Sequence, residues 1–577
     1  MQPELRKKLE TALLGTSVRQ LKEARKMCFT TLQTNPKDVL HLSLIGIIDY
    51  RLGHATQASE WFEKALVLNP NSARLYYDYG KALNQQGKQH EAFLAFQHCI
   101  EIKPDFAEAH YRIGSIFLTC GDNVQAIQAF SHALSLKPKY TEALNSLGVA
   151  LIRQGDLTAA AHCYAQALAL DPADPKTVNN YGMLLYYQGD FNESIRLFER
   201  ALSLKPNYPE AINNIGVAFR STGQLKKALP FLERSIPLDR NNADFHKNLA
   251  IALLSDGQLK RGWREFEWRL QTPQMAHLHR GTDKPLWNGK IVKDAVLLIR
   301  AEQGLGDTLQ FCRYAPRAAS LGLRVIMEVQ PGLARLIGSL PGIEQTITVG
   351  DPLPKHDFYC PMMSLPNAFN TSLTTIPAEI PYLSVSDETV AYWRDRLPNG
   401  NSQFLKVGLV WSGNPRLYST ALAAANQRRS IAPDLLLPLK EVAGVQFYSL
   451  QKDGPFPPQE LDLITLIDEC QDFADTAGLA ANLDLIISVD TSVVHMAGAL
   501  GIPVWVLNRV DSCWRWLQHR DDSPWYPTLR LFHQTTPGNW EDVVLRIKQA
   551  LELMAINNQT TSPQLTKLNA TDPPYSG

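Results

Sequence analysis

The sequence lacks an excess of charge of either sign, paired cysteines and a metal-binding acidic motif. Its 57 lysines and arginines match 57 aspartates and glutamates, so no overall field favours nucleic acid or an acidic membrane surface. The eight cysteines stand singly, without a C-x-x-C pair or zinc-ligand spacing. No D-x-D motif or acidic cluster is present, so neither a bound metal nor metal-dependent chemistry is predicted.

Long hydrophobic runs are also missing. Nowhere do about 18 apolar residues follow one another, and the N-terminal stretch MQPELRKKLETALLG has charges inside its first apolar part. We therefore expect no membrane span and no secretory leader. Isolated thiols are typical of a reducing compartment, so the expected location is the cytoplasm.

A fixed period of 34 residues runs through the first half of the chain. The recurring positions are held by prolines, glycines, alanines and aromatics. They are Pro36, Pro70, Pro104, Pro138, Pro172 and Pro206; Gly46, Gly80, Gly114, Gly148, Gly182 and Gly216; Ala58, Ala92, Ala126, Ala160 and Ala228; and Phe62, Phe96, Phe130, Tyr164 and Phe198.

This pattern resembles the tetratricopeptide repeat, in which small residues let two antiparallel helices approach, an aromatic fills the gap and proline ends the second helix. The period holds over about residues 5–240. A last, divergent helix pair is expected to end near 262–270. We assign residues 1–270 to the repeats and expect them to bind a protein or peptide along their groove.

Asparagines recur in the first helix of several repeats. Asn180, Asn214 and Asn248 form one column. Because an amide has donors and an acceptor, such a ladder suits the backbone of an extended peptide. The arrangement resembles the repeat arm of protein O-GlcNAc transferases. The simpler interpretation is that each asparagine bonds locally within the repeats.

The second half of the chain alternates strands and helices. An irregular connector over 271–286 precedes it, and apolar runs of strand length follow, among them AVLLIR (295–300), RVIMEV (324–329) and DLIISVD (484–490). This alternation predicts parallel sheets covered by helices. We expect one α/β lobe over 287–385, a connector over 386–404, a second lobe over 405–556 and a disordered tail over 557–577.

Several short motifs in this half suggest a family. LLIRAEQGLGDTLQFCRYAP, VGLVWSGNP, RRSI, YSLQK and DFADTAGLAANLDLIISVDTSVVHMAGALGIPVWVL occur in this order. They resemble the heptosyltransferase-like glycosyltransferases attached to tetratricopeptide repeats, over about residues 285–555. The resemblance implies two Rossmann-like lobes of GT-B type, hence an α plus α/β multidomain fold. It also implies an inverting transfer from a nucleotide-sugar donor, which is a substrate, and no further cofactor.

The first candidate site is the glycine-bearing turn after AVLLIR. Gly304 and Gly306 permit a tight turn and close approach of a ligand, and the resemblance places the general base at Asp307. Aspartate before a helix is also an ordinary N-cap. A third interpretation takes the glycines and Glu328 as a dinucleotide fingerprint, although its third glycine is missing.

The second candidate site follows DLIISVD. Asp490, Thr491, Ser492 and His495 lie where a strand passes into a helix, whose N-terminal amides suit a diphosphate. His495 lies one helical turn after Thr491 and is placed to donate to a phosphate. Taken singly, Asp490 suits a turn and His495 a packing role.

Other candidates follow strands of the second lobe. Arg429 and Lys452 are expected to stabilise the departing diphosphate, and Gln451 to face the same cleft. Ser412 and Asn414 are further donor candidates, although S-G-N-P also suits a simple turn. The alanine-rich segment before Arg428 departs from the family's more polar pattern.

These features predict a glycosyltransferase whose repeats bind the acceptor or a partner. The alternative is a repeat scaffold whose transferase-like half is catalytically inactive.

Overall fold

The computed structural model describes residues 17–302, 304–398, 404–416 and 419–561. The chain forms two compact units that divide between Leu184 and Leu185. This division falls inside a repeat helix, whereas the sequence places the end of the repeats near residue 270.

Helices of the first unit follow one another in antiparallel pairs, as the 34-residue period predicts. Their bounds are α1 Val18–Thr34, α2 Val39–Arg51, α3 Ala55–Leu68, α4 Ala73–Gln85, α5 Gln89–Ile102, α6 Ala107–Cys120, α7 Asn123–Leu136, α8 Thr141–Gln154 and α9 Leu157–Leu170, with α10 Pro175–Gln188 containing the division.

Repeat helices continue into the second unit. They are α11 Phe191–Leu204, α12 Pro209–Ser221, α13 Leu225–Ser235, α14 Ala243–Ser255 and α15 Leu259–Phe266. The last two are the divergent pair that the sequence predicts, and 3₁₀ turns follow them over Glu267–Gln271 and Pro273–His279.

The glycine and aromatic columns explain how the two helices of a repeat approach. A Cβ added at Gly80 would lie 2.7 Å from Cε1 of Phe96, a fully buried ring in the same repeat. A second glycine column, absent from the sequence analysis, forms the turns between paired helices. These glycines all have φ between +76° and +95°, a region that favours glycine: Gly53, Gly87, Gly121, Gly155, Gly189, Gly223 and Gly257.

The first sheet has four parallel strands in the order β3-β2-β1-β4. The strands are β1 Val296–Arg300, β2 Arg324–Val329, β3 Ile343–Thr348 and β4 Phe358–Pro361, and the helices are α16 Leu305–Phe311, α17 Ala315–Ser320, α18 Ala334–Ile337 and α19 Leu365–Ala368.

The second sheet has six parallel strands in the order β10-β9-β8-β5-β6-β7. The strands are β5 Leu405–Val410, β6 Val445–Ser449, β7 Ile464–Thr465, β8 Leu485–Val489, β9 Val504–Asn508 and β10 Leu529–His533; the helices are α20 Asp387–Arg394, α21 Thr420–Arg429, α22 Phe473–Ala480, α23 Ser492–Ala499 and α24 Glu541–Thr561. The predicted parallel sheets are therefore confirmed.

The predicted connectors are packed rather than free. In the 271–286 segment, Leu278 is fully buried, and the Arg300 guanidinium of β1 donates to the carbonyl oxygens of Leu278 and Arg280 at 2.8 and 2.9 Å. In the 386–404 segment, α20 buries Trp393. A buried leucine and two bonded carbonyls thus fix the first segment, and Trp393 fixes the described part of the second.

The last helix runs into the segment that the sequence predicts as a tail. α24 ends at Thr561, and the remaining predicted tail, 562–577, lies outside the described residues. No helix in the described part of the chain combines the length and apolar character needed to cross a bilayer.

Candidate functional site

A cleft of about 980 Å³ opens in the second unit between the two sheets and the last repeat helices. Its walls include the segments that leave the carboxyl ends of β1, β5, β6, β8 and β9, where parallel sheets bind ligands. The residues of both lobes that the sequence analysis assigned to the transferase site all line this cleft, whereas Glu328 does not.

The two predicted turns meet in this cleft. A Cβ added at Gly306 would lie 2.8 Å from Cδ2 of His495 and 3.6 Å from Cα of Ser492. Helix α16 therefore packs directly against helix α23, and the missing side chain of Gly306 is what permits the contact. The turn from the first sheet and the turn from the second form one site.

Asp307 lies on the first turn of α16, with its side chain 27% exposed. Its Oδ1 accepts from Nη2 of Arg515, and Oδ2 would lie 2.4 Å from a Cβ at Gly304. Burial raises the pKa of Asp307, whereas the neighbouring Arg515 acts in the opposite direction. The expected N-cap role is not observed, because the N-cap residue is Gly304.

Arg515 is a site residue that the sequence analysis missed. Its Nε donates to Oε1 of Gln310 at 2.7 Å, its Nη1 to Sγ of Cys513 at 3.0 Å, and its guanidinium lies 4.3 Å from the ring centre of Trp514. These contacts fix the fork that holds Asp307. The only sequence signal is the cation between two tryptophans in CWRW, after strand β9.

His495 has the packing role that the sequence analysis considered. Its Nδ1 lies 3.0 Å from the hydroxyl of Tyr526, and its ring stacks on Trp516 at 5.3 Å. Burial lowers the pKa of His495 well below its usual 6.5, and Arg515 and Arg313 lower it further. A neutral imidazole is therefore held with Nε2 toward Gly306, at 3.5 Å from the position of an added Cβ.

The start of α23 is open on its cleft side. Thr491 occupies the N-cap position, but its side chain makes no capping bond and its hydroxyl lies 3.1 Å from Oγ of Ser488. Ser492 is the first helical residue, and both side chains are partly exposed. The amides at this helix end are thus directed at the space where the sequence analysis places a diphosphate.

Arg429 reaches this turn from α21. Its Nη1 donates to the carbonyl oxygen of Asp490 at 3.1 Å, and its Nε to Oδ1 of Asn426 at 2.9 Å. A Cβ at Gly413 would lie 2.2 Å from Nη2, so glycine there admits the guanidinium. Burial lowers the pKa of Arg429, and Arg416 lowers it further, although Asp490 raises it.

Two other predicted ligands are engaged inside the protein. Oε1 of Gln451 accepts from the backbone N–H groups of Trp411 and Ser412 at 3.1 and 2.9 Å. Nζ of Lys452 donates to the carbonyl oxygen of Cys470 at 2.8 Å. Gln451 therefore braces the turn after β5, and Lys452 contributes charge to the cleft while bonded to the backbone.

The S-G-N-P segment is a hydrogen-bonded turn. The hydroxyl of Ser412 lies 3.2 Å from Oγ of Ser430, and Oδ1 of Asn414 accepts from the backbone N–H of Arg416 at 3.0 Å. The asparagine is exposed at the rim of the cleft, whereas the serine is buried.

Asparagines of this column bond to asparagines in the preceding repeat. In the first unit, Nδ2 of Asn180 donates to Oδ1 of Asn145 at 3.0 Å. In the second unit, Nδ2 of Asn248 donates to Oδ1 of Asn213 at 3.4 Å. Asn180, Asn214 and Asn248 are half-buried. Local bonding within the repeats, the simpler interpretation, is thus observed for Asn180 and Asn248.

Glu328 is not available to a ribose. It lies buried on β2, and its two carboxylate oxygens accept from Nε and Nη2 of Arg300 at 2.6 and 3.1 Å. The dinucleotide interpretation requires Glu328 to bind a ribose. It is therefore wrong on this point, because a buried arginine already bonds to both carboxylate oxygens.

A buried ion pair fixes the last repeat segment to the first sheet. Nε and Nη2 of Arg269 donate to Glu302 at 2.9 and 2.7 Å, and both side chains are nearly inaccessible to solvent. Glu302 lies two residues after the end of β1, so this pair anchors the start of the glycine turn. Across the described ranges, no group of three or more His, Cys, Asp or Glu is arranged to hold a metal ion.

Comparison with known proteins reaches mainly the repeats. A family model described as the Cilia and flagella-associated protein 70 C-terminal domain matches residues 8–267. Protein FlbA of Caulobacter vibrioides is 26% identical over 319 residues, which are 50% of this chain and 52% of that protein. The chain thus spans about half the length of this curated relative.

Solved structures of repeat proteins are also similar. The Cut9–Hcn1 hetero-tetramer of APC/C is 20% identical with a TM-score of 0.37, over 44% of this chain and 49% of that one. A tetratricopeptide repeat protein of Parabacteroides merdae is 18% identical with a TM-score of 0.36, over 41% and 93%. The repeat pattern, the helix pairs and the family-model match indicate tetratricopeptide repeats in the first half of the chain, and parallel α/β sheets occupy the second half.

Proposed function

We propose that the second half is an inverting, metal-independent glycosyltransferase that acts in the cytoplasm and moves a sugar from a nucleotide-sugar donor to a hydroxyl. One observation carries the proposal: the turn bearing Asp307 and the turn bearing His495 touch through Gly306 in a single cleft. A base and a diphosphate site are thereby brought within the span of one donor and one acceptor.

The strand order supports a nucleotide site. Read from β7, the second sheet runs 3-2-1-4-5-6 in chain order, which is the order of doubly wound, Rossmann-like sheets. Ligands of such sheets bind where the order reverses, here between β5 and β8. The segments leaving these two strands carry Ser412 and Asp490, and the first sheet repeats the 3-2-1-4 part, as two GT-B lobes would.

The proposed chemistry assigns one role to each turn. Asp307 takes the proton of the attacking hydroxyl, and burial raises the pKa of its carboxyl group, which strengthens it as a base. Arg515 keeps the carboxylate in place. The bond from the anomeric carbon to the diphosphate breaks as the new one forms, and Arg429 with the amides at the start of α23 stabilises the charge on the leaving group.

The acceptor side of the cleft belongs to the repeats. Tyr186, Lys247 and Ile251 of the last repeat helices line the same cavity as Asp307. A protein or saccharide bound to these helices would present its hydroxyl to the base. This placement supports an acceptor held partly by the repeats, as the groove of such repeats suits a peptide.

A second candidate function is a repeat scaffold with an inactive transferase-like half. The internal bonds of Gln451 and Lys452 favour it, because both groups would have to be released, or act at a distance, to contact a donor. In this case nucleotide binding or the fold alone persists without turnover.

A transfer assay with a panel of nucleotide sugars separates the two functions. Release of nucleoside diphosphate is expected with wild type and not with Asp307→Asn; Asp453→Asn, at the cleft rim, serves as the matched control. Calorimetry with nucleoside diphosphates should show binding that Arg429→Ala and His495→Ala weaken. Binding without turnover on any donor favours the scaffold, and unchanged turnover of Asp307→Asn removes the proposed base.

A further inference from the structure

The cleft contains more positive charge than its own carboxylates neutralise. Its described lining includes nine lysines and arginines but five aspartates and glutamates. Two of the ion pairs are complete, since Arg269 pairs with Glu302 and Arg515 with Asp307. The remaining cations fall into two groups, one beside the start of α23 and one where the repeats meet the second sheet.

The second group consists of four residues that line the cleft, here called the junction cluster: Arg220, Arg428, Arg509 and Asp511. Asp511 is its single carboxylate and is shared: Oδ2 lies 3.0 Å from Nε of Arg428, and Oδ1 lies 3.2 Å from Nε of Arg509. The side chains of Arg428 and Arg509 are only 21% and 15% exposed. One carboxylate therefore balances two largely buried guanidinium groups.

The repeats add a third guanidinium to this cluster. The Arg428 guanidinium lies 6.0 Å from the ring centre of Tyr186 in α10, and the hydroxyl of Tyr186 lies 2.9 Å from Oγ of Ser221. Ser221 directly follows Arg220, and all of these residues line the same cleft. Cations from α12, α21 and the segment after β9 thus line the same cleft.

Two donors of the cluster are buried without a partner. Among the described residues, none accepts a hydrogen bond from Nε of Arg220 or from Nη1 of Arg428. A buried N–H of a charged group that lacks an acceptor is costly, and native proteins keep such groups where a ligand completes them. Both donors belong to residues that line the cleft, but the N–H groups themselves are enclosed by protein, so an anion satisfies them only by displacing the side chains that cover them.

We infer that the junction cluster is a second anion site, which binds a carboxylate or phosphate group distinct from the donor diphosphate. Planar guanidinium forks bind such oxyanions with paired N–H bonds. The donor diphosphate is assigned to Arg429 and α23, whereas the junction cluster includes a repeat residue. The anionic group therefore enters on the repeat side of the cleft. This inference does not require that sugar transfer occurs.

Inorganic phosphate tests the site directly, by calorimetric titration of the full chain. Arg220→Gln and Arg428→Gln should each weaken phosphate binding about tenfold or more, because each removes a charged hydrogen bond. Arg264→Gln removes an exposed charge from α15 outside the cleft and should keep the affinity within about twofold. Arg429→Gln, at the donor turn, should also retain the junction site.

Unchanged phosphate affinity in both junction variants would overturn the inference, and so would a loss confined to Arg429→Gln, which would place phosphate at the donor turn. Absence of phosphate binding to wild type overturns it as well. Melting of each variant without ligand reports its folding. If a glutamine variant unfolds, Arg220→Lys or Arg428→Lys retains the charge and should still weaken binding, since the fork is lost.

The binding of two nucleotide sugars identifies the source of the anion. This is the only part of the test that rests on the proposed transferase function. Arg428→Gln should weaken the binding of UDP-glucuronic acid more than the binding of UDP-glucose if the donor sugar supplies the carboxylate. Equal effects on these two probes assign the anion to the acceptor. Phosphate titration remains informative if neither nucleotide sugar binds, so failure of the transferase and failure of the anion site are distinguishable.

Discussion

Two glycines, one in the repeats and one in the cleft, permit equally close contacts by different routes. A Cβ at Gly80 would meet Phe96 at 2.7 Å, and a Cβ at Gly306 would meet His495 at 2.8 Å. Phe96 belongs to the next helix of the same repeat, whereas His495 belongs to another sheet. Contacts of the repeats are local and recur, whereas the contacts that form the cleft are long-range and each occurs once.

The repeats and the cleft therefore differ in how a lost contact affects the stability and the function of the protein. Loss of one repeat contact leaves the same contact in the neighbouring repeats, because such arrays are stabilised repeat by repeat. The cleft has no second copy of its contact, so a change there should affect ligand binding specifically.

Removal of the proposed base should have the largest effect. Asp307→Asn keeps the size of the side chain but cannot accept a proton, so turnover should fall by about 10²–10⁴-fold. Rates of diphosphate release from nucleotide sugars measure this. Asp453→Asn, at the rim of the same cleft, should keep wild-type turnover. Equal loss in both variants would indicate a general charge effect and contradict the specific role.

Breaking the buried ion pair of Arg269 should destabilise the second unit most. Arg269→Gln leaves Glu302 buried without its partner, at an expected cost of about 3–5 kcal/mol. Denaturant unfolding measures this cost. The matched change Arg264→Gln, at an exposed position of α15, should stay within about 0.5 kcal/mol. Similar stabilities of the two variants would show that the pair does not anchor the glycine turn.

Alanine substitutions at Gly80 and Gly306 test whether the two close contacts differ in their effect on ligand binding. Gly80→Ala and Gly306→Ala should each lower the free energy of unfolding by about 1–3 kcal/mol, since the new Cβ overpacks a buried neighbour. Nucleotide affinity should fall only for Gly306→Ala. Gly332→Ala is the control, because its Cβ would meet no atom within 4 Å. Loss of nucleotide affinity in Gly80→Ala would break the comparison.

The pH dependence of stability should reveal His495. Its folded pKa lies well below 6.5, so below about pH 6.5 the unfolded chain binds a proton that the folded chain does not. The contribution of His495 to the free energy of unfolding is therefore complete above pH 6.5. It decreases as the pH is lowered, by up to about 1.4 kcal/mol per pH unit, until the folded pKa is reached. His495→Gln should flatten this slope, and His90→Gln, at an exposed position, should not.

The smallest effect is expected at an exposed ion pair between the two sheets. Nε of Arg335, on α18, donates to Asp472 at the start of α22 at 2.9 Å, but Arg335 is 51% exposed. Arg335→Gln should lower the free energy of unfolding by less than about 1 kcal/mol, because solvent screens such pairs. A cost as large as that of Arg269→Gln would contradict this contrast between buried and exposed pairs.

Periodic features could be predicted from the sequence alone. The 34-residue period identified the helix pairs, including the divergent pair over 243–266, and apolar runs identified β1, β2, β5 and β8. Strand β3 was missed because its sequence IEQTIT is polar and half exposed at the sheet edge, and β4 is short and ends in proline. Regular spacing and continuous hydrophobicity are local signals, which these strands lack.

The site was predictable only in part, for the same reason. Asp307 and His495 each follow a strand in a recognisable motif. Arg515 and Tyr526, which fix them, lie in irregular segments after β9, where spacing carries no information about partners. The internal bonds of Gln451 and Lys452 also arise from the fold rather than from a motif. Long-range contacts of this kind can be recognised only in the folded structure.

Amide hydrogen exchange with one bound nucleotide tests the central claim most directly. The nucleoside diphosphate that gives the largest thermal shift should slow exchange in two segments together, Gly304–Phe311 and Asp490–Ala499. Protection of both turns by one ligand is the predicted result. Protection of a single turn, or of neither by any nucleotide that stabilises the protein, would contradict the account of one shared cleft.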